Sequence, residues 1–306
     1  PMNLLLKKLF KPSVFVSPLI LIITSVLLSL QNYTPGTFLS GWDTLHPEFD
    51  FKLNIMRTFF GVFRPEQGLG AVAAHAHMVE LPRIAILYAL HFFFPLAQLR
   101  YLYIFICLIA GPLGMYFFLN RILIKKKLPS FLGALFYLLN LGTYQTFLVP
   151  FEMFTTLYAT LPFVFWLFTE YLAAHKKRLL FFFSLTIIFG SQIAYASTLW
   201  FVFFISLLLF FVPYVLIQRK HSKGIVKRFF ILIGILLALN LYWILPNIYF
   251  ALTQGSNIAS ANINKLFSEE AFAKNKEFGN IKDILLLKSF YFDWGIYNFK
   301  TGGFEQ

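Results

Sequence analysis

Along the chain, apolar residues gather into long runs separated by short polar segments. A bilayer needs about 20 consecutive apolar residues to be crossed by a helix. Seven runs meet that need: residues 13–30, 100–122, 129–149, 152–173, 179–196, 198–217 and 229–249. The pattern predicts an all-α, polytopic helical membrane protein with about seven transmembrane helices. Residues 1–250 form its membrane domain, and residues 32–99 form a long loop after the first span. In that loop Phe49, Leu53, Met56, Phe60 and Phe63 recur at helical spacing, away from Asp50, Asn54, Arg57 and Thr58. This predicts an amphipathic helix over 47–63, opened by Pro47 and too polar to span, that lies in the membrane interface. A second apolar piece, 82–95, is short for a crossing and reads as re-entrant or interfacial. Beyond residue 250 Asn, Ser and Lys replace Phe and Leu. Short helices are predicted at 268–277 and 281–290, as the opening of an external C-terminal region that continues beyond this chain.

Charge sets the orientation. Lys and Arg total 26 against 13 Asp and Glu. In a soluble chain that excess would suggest nucleic acid. Here the basic residues fall in short segments such as Lys125-Lys126-Lys127, Lys176-Lys177-Arg178 and Arg219-Lys220, the positive-inside pattern. No nucleic-acid partner is expected. The N-terminus, with Lys7, Lys8 and Lys11, is placed in the cytoplasm, and the 32–99 loop outside a plasma membrane. If 82–95 crossed, every later basic segment would fall on the wrong side. Leu28-Ser29-Leu30 makes a poor cleavage site, so the first span is read as uncleaved. Cys107 is the only cysteine, which excludes an intrachain disulfide.

The candidate chemistry lies in the loop, which holds Asp43, Glu48, Asp50, Glu66 and Glu80. Asp43 follows the first span and precedes the amphipathic helix. A carboxylate there could act as general base on a hydroxyl, its pKa raised by Glu48 or Asp50; equally, it could cap the helix. Polar residues cluster in the same half of several spans: Asn140, Thr143, Gln145, Glu152, Ser191, Gln192, Asn240, Tyr242 and Asn247. They read either as the lining of an outward cavity or as interhelical hydrogen-bond glue. No charged residue lies near a span midpoint, which argues against an ion-coupled carrier. His75 and His77 lack a defined third ligand, so no metal site is expected. Gly68-x-Gly70 follows no predicted strand and is not a nucleotide motif.

The layout, with Gly41-Trp42-Asp43-Thr44, Gln67-Gly68-Leu69-Gly70, Leu81-Pro82, Gly114-Met115-Tyr116, Ala134 to Asn140 and Tyr158-Ala159-Thr160-Leu161-Pro162, resembles the C-type (GT-C) polytopic glycosyltransferases. It is most similar to their arabinofuranosyltransferase-like branch, over roughly residues 1–250. The resemblance implies transfer of a sugar from a polyprenyl-phosphate donor to a cell-envelope glycan acceptor. It implies an inverting displacement in which Asp43 deprotonates the acceptor. Arg57, Arg64 or Arg83 would hold the departing phosphate. The wider set of substrate-binding candidates adds Glu48, Asp50, Glu80, Gln145, Glu152 and Gln192. Some members carry two acids separated by one residue at the span end. This chain does not, so a divalent cation has no support and no cofactor is expected. The alternatives are a flippase or transporter for a lipid-linked glycan, and a non-catalytic envelope-assembly membrane protein. Membrane lipids are partners on every reading.

Overall fold

The computed structural model describes residues 12–40, 46–61, 63–64, 71–72, 75–218, 222–260, 262, 273, 276–277, 279–288, 296–298 and 303–305. The protein is an all-α polytopic membrane protein. Helix α1 (Pro12–Gln31) leads to a 3-10 turn (Pro47–Phe49), α2 (Phe51–Phe59) and a ribbon of β1 (Phe63–Arg64) with β2 (Ala71–Val72). A second 3-10 segment (His75–Glu80) runs directly into α3 (Leu81–His91). Then follow α4 (Leu96–Phe118), ending in a π turn to Leu123, α5 (Lys127–Leu138), α6 (Leu141–Leu148), α7 (Glu152–Ala174) and α8 (Lys177–Phe189). A 3-10 turn (Gly190–Tyr195), α9 (Ser197–Ile217) and α10 (Ser222–Ser260) complete the bundle. Beyond it lie α11 (Ile281–Leu286) and a ribbon of β3 (Ile296–Asn298) with β4 (Gly303–Glu305).

Among the described residues five helices are long and apolar enough to cross a membrane: Leu96–Leu123, Glu152–Ala174, Lys177–Tyr195, Ser197–Ile217 and Lys223–Asn257. Within α1 the apolar stretch Phe15–Gln31 is shorter. The run 129–149, expected as one span, is two helices of 12 and 8 residues. Asn140 causes the break. Its side-chain oxygen accepts from the Thr143 N–H at 2.9 Å and its amide donates to the Phe136 and Tyr137 carbonyls. One side chain thus satisfies groups at both new helix ends. The predicted helix 47–63 is also divided. Asp50, with φ −152°, leaves the helical region and caps α2 by accepting from the Leu53 N–H at 2.9 Å. Helix α3 has 11 residues and so reaches about 16 Å, too short to cross. Of the predicted helix 268–277 only residues 273, 276 and 277 are described, all three helical, and the lysines at 7, 8 and 11 lie outside the described residues.

The centre of the bundle is the α4–α7 pair, and glycine lets the two helices close. A Cβ on Gly111 would stand 2.2 Å from the Tyr158 ring, and one on Gly114 would stand 2.6 Å from the Phe163 ring. Two aromatic rings therefore fill notches that only a missing side chain provides. On one flank, Leu21, Tyr116 and Ala134 join α1, α4 and α5. On the other, Phe168, Phe183, Leu207 and Leu232 join α7, α8, α9 and α10. Trp200 and Trp243 meet edge to face at 5.1 Å, and the Trp243 indole donates to Asn240 at 2.7 Å.

The loop between α1 and α4 folds back over one end of this bundle. Met78 and Val79 sink into the large core beside the 190–195 turn, where the Ser191 hydroxyl donates to the Val79 carbonyl at 3.0 Å. Helix α2 lies inverted relative to a soluble helix. Asn54 and Thr58 are buried, whereas Leu53, Met56, Phe59 and Phe60 are exposed. Such a face suits the acyl–headgroup boundary of a bilayer.

Candidate functional site

Four charged side chains converge where this loop meets the span ends. Arg83, in the first turn of α3, is 2% exposed. Its guanidinium donates to Glu80 Oε1 at 2.6 Å and to Glu152 Oε1 at 2.9 Å. Arg100, in the second turn of α4, is equally buried. It donates from Nε to the same Glu152 oxygen at 2.8 Å, from Nη1 to the Leu39 carbonyl at 2.5 Å and from Nη2 to the Pro150 carbonyl at 3.1 Å. Glu152 opens α7, where its charge is favoured by the helix dipole. The arginines stand near helix N-termini, where that dipole opposes them. Local helix preference therefore does not explain their placement; the carboxylates do. Burial works against the charge on Arg83, but Glu80 and Glu152 outweigh it and hold the pKa above the ordinary arginine value. Two acids balance two bases, so the cluster is neutral as a set and rigid as a frame. It joins the start of the loop, at Leu39, to its end, at Glu80 and Arg83, and to two spans.

Around this frame stand further polar groups. His77 Nδ1 lies 3.7 Å from Glu80 Oε2. The Tyr103 and Thr156 hydroxyls meet at 2.6 Å between α4 and α7. Glu48 is 2% exposed on the 47–49 turn, which packs against α3 and α4. The His46 imidazole donates from Nδ1 to Glu48 Oε1 at 2.9 Å, while Oε2 is buried and meets no partner among the described residues.

The residues singled out from sequence divide as follows. Glu80, Arg83 and Glu152 come together in the frame, and Glu48 stands on the turn packed against α3 and α4. Asp50 caps α2. Arg57 is half-buried on α2, between the buried Asn54 and Thr58 in the helix. Gln145 is bound elsewhere, donating to the Leu287 carbonyl at 2.7 Å. Gln192 is buried in the 190–195 turn, and its carbonyl oxygen has no partner among the described residues. Asp43 and the side chains of Arg64 and His75 lie outside the described residues. Asn140, Thr143, Ser191 and Asn240 are hydrogen-bonded within the bundle. Beside Asn240 lies a cavity about the size of one water, lined also by Thr160, Gly190 and Trp200. Among the described residues no cluster of three His, Cys, Asp or Glu could hold a metal ion.

Arg100 is the member that sequence reasoning passed over. At the edge of an apolar run it reads as a flanking charge reaching for headgroups. The signal lies in its spacing: Arg100, Tyr103 and Cys107 fall three and four apart, on one helix face, and all three are buried.

The chain matches no known protein family, no curated protein and no solved structure.

Proposed function

We propose that the protein is a membrane glycosyltransferase that works at the external face of the plasma membrane, passing a sugar from a polyprenyl-phosphate donor to a cell-envelope glycan. The observation that carries this reading is the buried Glu80–Arg83–Glu152–Arg100 frame under the loop. It fixes both flanks of a loop whose helix α2 offers an apolar face to lipid and a polar face to the protein. A lipid-borne donor arrives in the bilayer plane, and a hydroxyl acceptor arrives from water. The loop stands between the two. Orientation follows from charge, since Lys125–Lys127 and Lys176–Arg178 lie at the opposite end of the spans from the frame.

In the proposed reaction the Asp43 carboxylate takes the proton of the acceptor hydroxyl. That oxygen attacks the anomeric carbon as the bond from this carbon to the phosphate oxygen breaks. The electron pair leaves with the polyprenyl phosphate, and configuration inverts. Arg57, Arg64 or Arg83 would meet the departing phosphate, since the arginine fork fits phosphate oxygens. Glu48, one of whose oxygens meets no partner among the described residues, would accept a hydroxyl of donor or acceptor.

The test is Asp43→Asn in lipid nanodiscs, assayed against a panel of polyprenyl-phosphate sugars. Loss of a general base lowers turnover by about 10²–10⁴-fold with thermal stability unchanged. An Asp43→Asn protein that transfers sugar at the wild-type rate refutes the assigned base. A wild-type protein that consumes no donor, but moves it between leaflets, replaces the transferase with a transporter.

A further inference from the structure

Helix α11 is short, yet both its ends are built. The Asn280 side chain accepts from the Asp283 N–H at 2.9 Å. At the other end Leu287 turns left-handed, with φ +56°, and the Lys288 N–H returns to the Asp283 carbonyl at 2.8 Å. A branched side chain in that conformation is strained, and such residues persist where surroundings hold them. Here the holding contact comes from the bundle. The Leu287 carbonyl accepts from Gln145 on α6 at 2.7 Å, and its Cβ packs over Gly142, where a methyl would stand 3.4 Å away. The chain beyond the bundle is thus clasped to the second half of the broken helix, at a glycine.

The clasped helix presents the wrong face to water. Ile281, Ile284 and Leu285 are one helical stripe and are 78%, 59% and 75% exposed, while Asp283 opposite is half-buried. On α6, to which this segment is clasped, Leu141, Tyr144 and Leu148 are exposed as well. Lys282 and Lys288 flank it. We propose that residues 281–287 are a membrane strap. Ile281, Ile284 and Leu285 dip into the acyl boundary, and the flanking lysines meet lipid phosphates. Three features select lipid as the occupant. The segment is clasped to α6, whose own Leu141, Tyr144 and Leu148 are exposed. Its basic flanks complement anionic headgroups. And a helix about 9 Å long falls far short of the roughly 800 Å² per partner that a stable dimer buries.

The test places a single cysteine at 284 or 285 in a Cys107→Ala background, carrying a polarity-sensitive fluorophore, with the protein in nanodiscs of mixed neutral and anionic lipid. At both positions a nitroxide on the upper acyl chain is expected to lower emission by about twofold, with iodide in the water having little effect. Gln145→Leu releases the clasp and reduces that lipid quenching. Strong iodide quenching without lipid quenching overturns the proposal, because the helix is then solvated. Blue-shifted emission that neither agent quenches also overturns it, because protein then covers the face. Neither result bears on the transferase reading, which is decided at Asp43.

Discussion

Helices α7 and α9 have similar lengths, 23 and 21 residues, and opposite relations between polarity and place. Helix α7 carries Glu152, Thr155, Thr156, Thr160 and Thr169, all buried, and 56% of its most apolar stretch is covered by protein. Helix α9 is almost wholly Phe, Leu, Val and Ile, and only 17% of its stretch is covered. Phe201, Val202, Leu209 and Leu216 of α9 are more than half exposed. In water the apolar helix would be the interior one. Here lipid takes the apolar helix and protein takes the polar one, because a polar group in hydrocarbon needs a partner that only another helix can supply. Polar content within a span therefore predicts which face meets protein.

The largest blow to this contrast is Glu152→Ala. It leaves Arg83 and Arg100 buried without their shared carboxylate, and breaking a buried pair costs about 3–5 kcal/mol. Thermal unfolding in detergent will show the loss; a stability unchanged within about 1 kcal/mol would mean that water replaces the carboxylate. Next is Gly111→Ala, whose methyl overlaps the Tyr158 ring and forces α4 and α7 apart. Overpacking of this kind costs about 1–3 kcal/mol and should be relieved by Tyr158→Ala in the same chain. Asn140→Ala removes the double cap between α5 and α6 and is expected to cost about 1 kcal/mol, read from faster hydrogen exchange at 141–144. Smallest is Leu209→Ala on the lipid face of α9, expected to fall within about 0.5 kcal/mol of the wild type. An effect there as large as at Gly111 would erase the contrast.

Much of the scaffold was legible because bilayer thickness turns length into a signal: the runs that became α4, α7, α8, α9 and α10 are visible by eye. The breaks were less so. Asn140 sits inside an apolar run that hides it, although Asn followed by Thr143 three residues on is a cap spacing. Asp50 was expected inside a helix opened by Pro47 and is instead the cap of α2, since an acid is favoured in both places. At the site, Glu80, Arg83 and Glu152 each stood out singly. Their convergence did not, because 72 residues separate Glu80 from Glu152 and only the α4–α7 packing brings them together. Arg100 was hidden by an ordinary role at a span edge, and nothing local distinguishes an arginine that reaches outward from one that folds inward.

One dimension remains to be followed outward. Helix α10 has 39 residues and so extends about 58 Å, while the hydrocarbon layer is about 30 Å thick. The apolar run 229–249 fills that layer, and residues 251–260 continue beyond it as a mast. Whatever the mast carries is set in height and azimuth by its residue count: one added residue lifts the load by about 1.5 Å and swings it by about 100°. A single alanine inserted near Thr253 would thus turn the far end of α10 and set it against the clasp that Gln145 makes with Leu287.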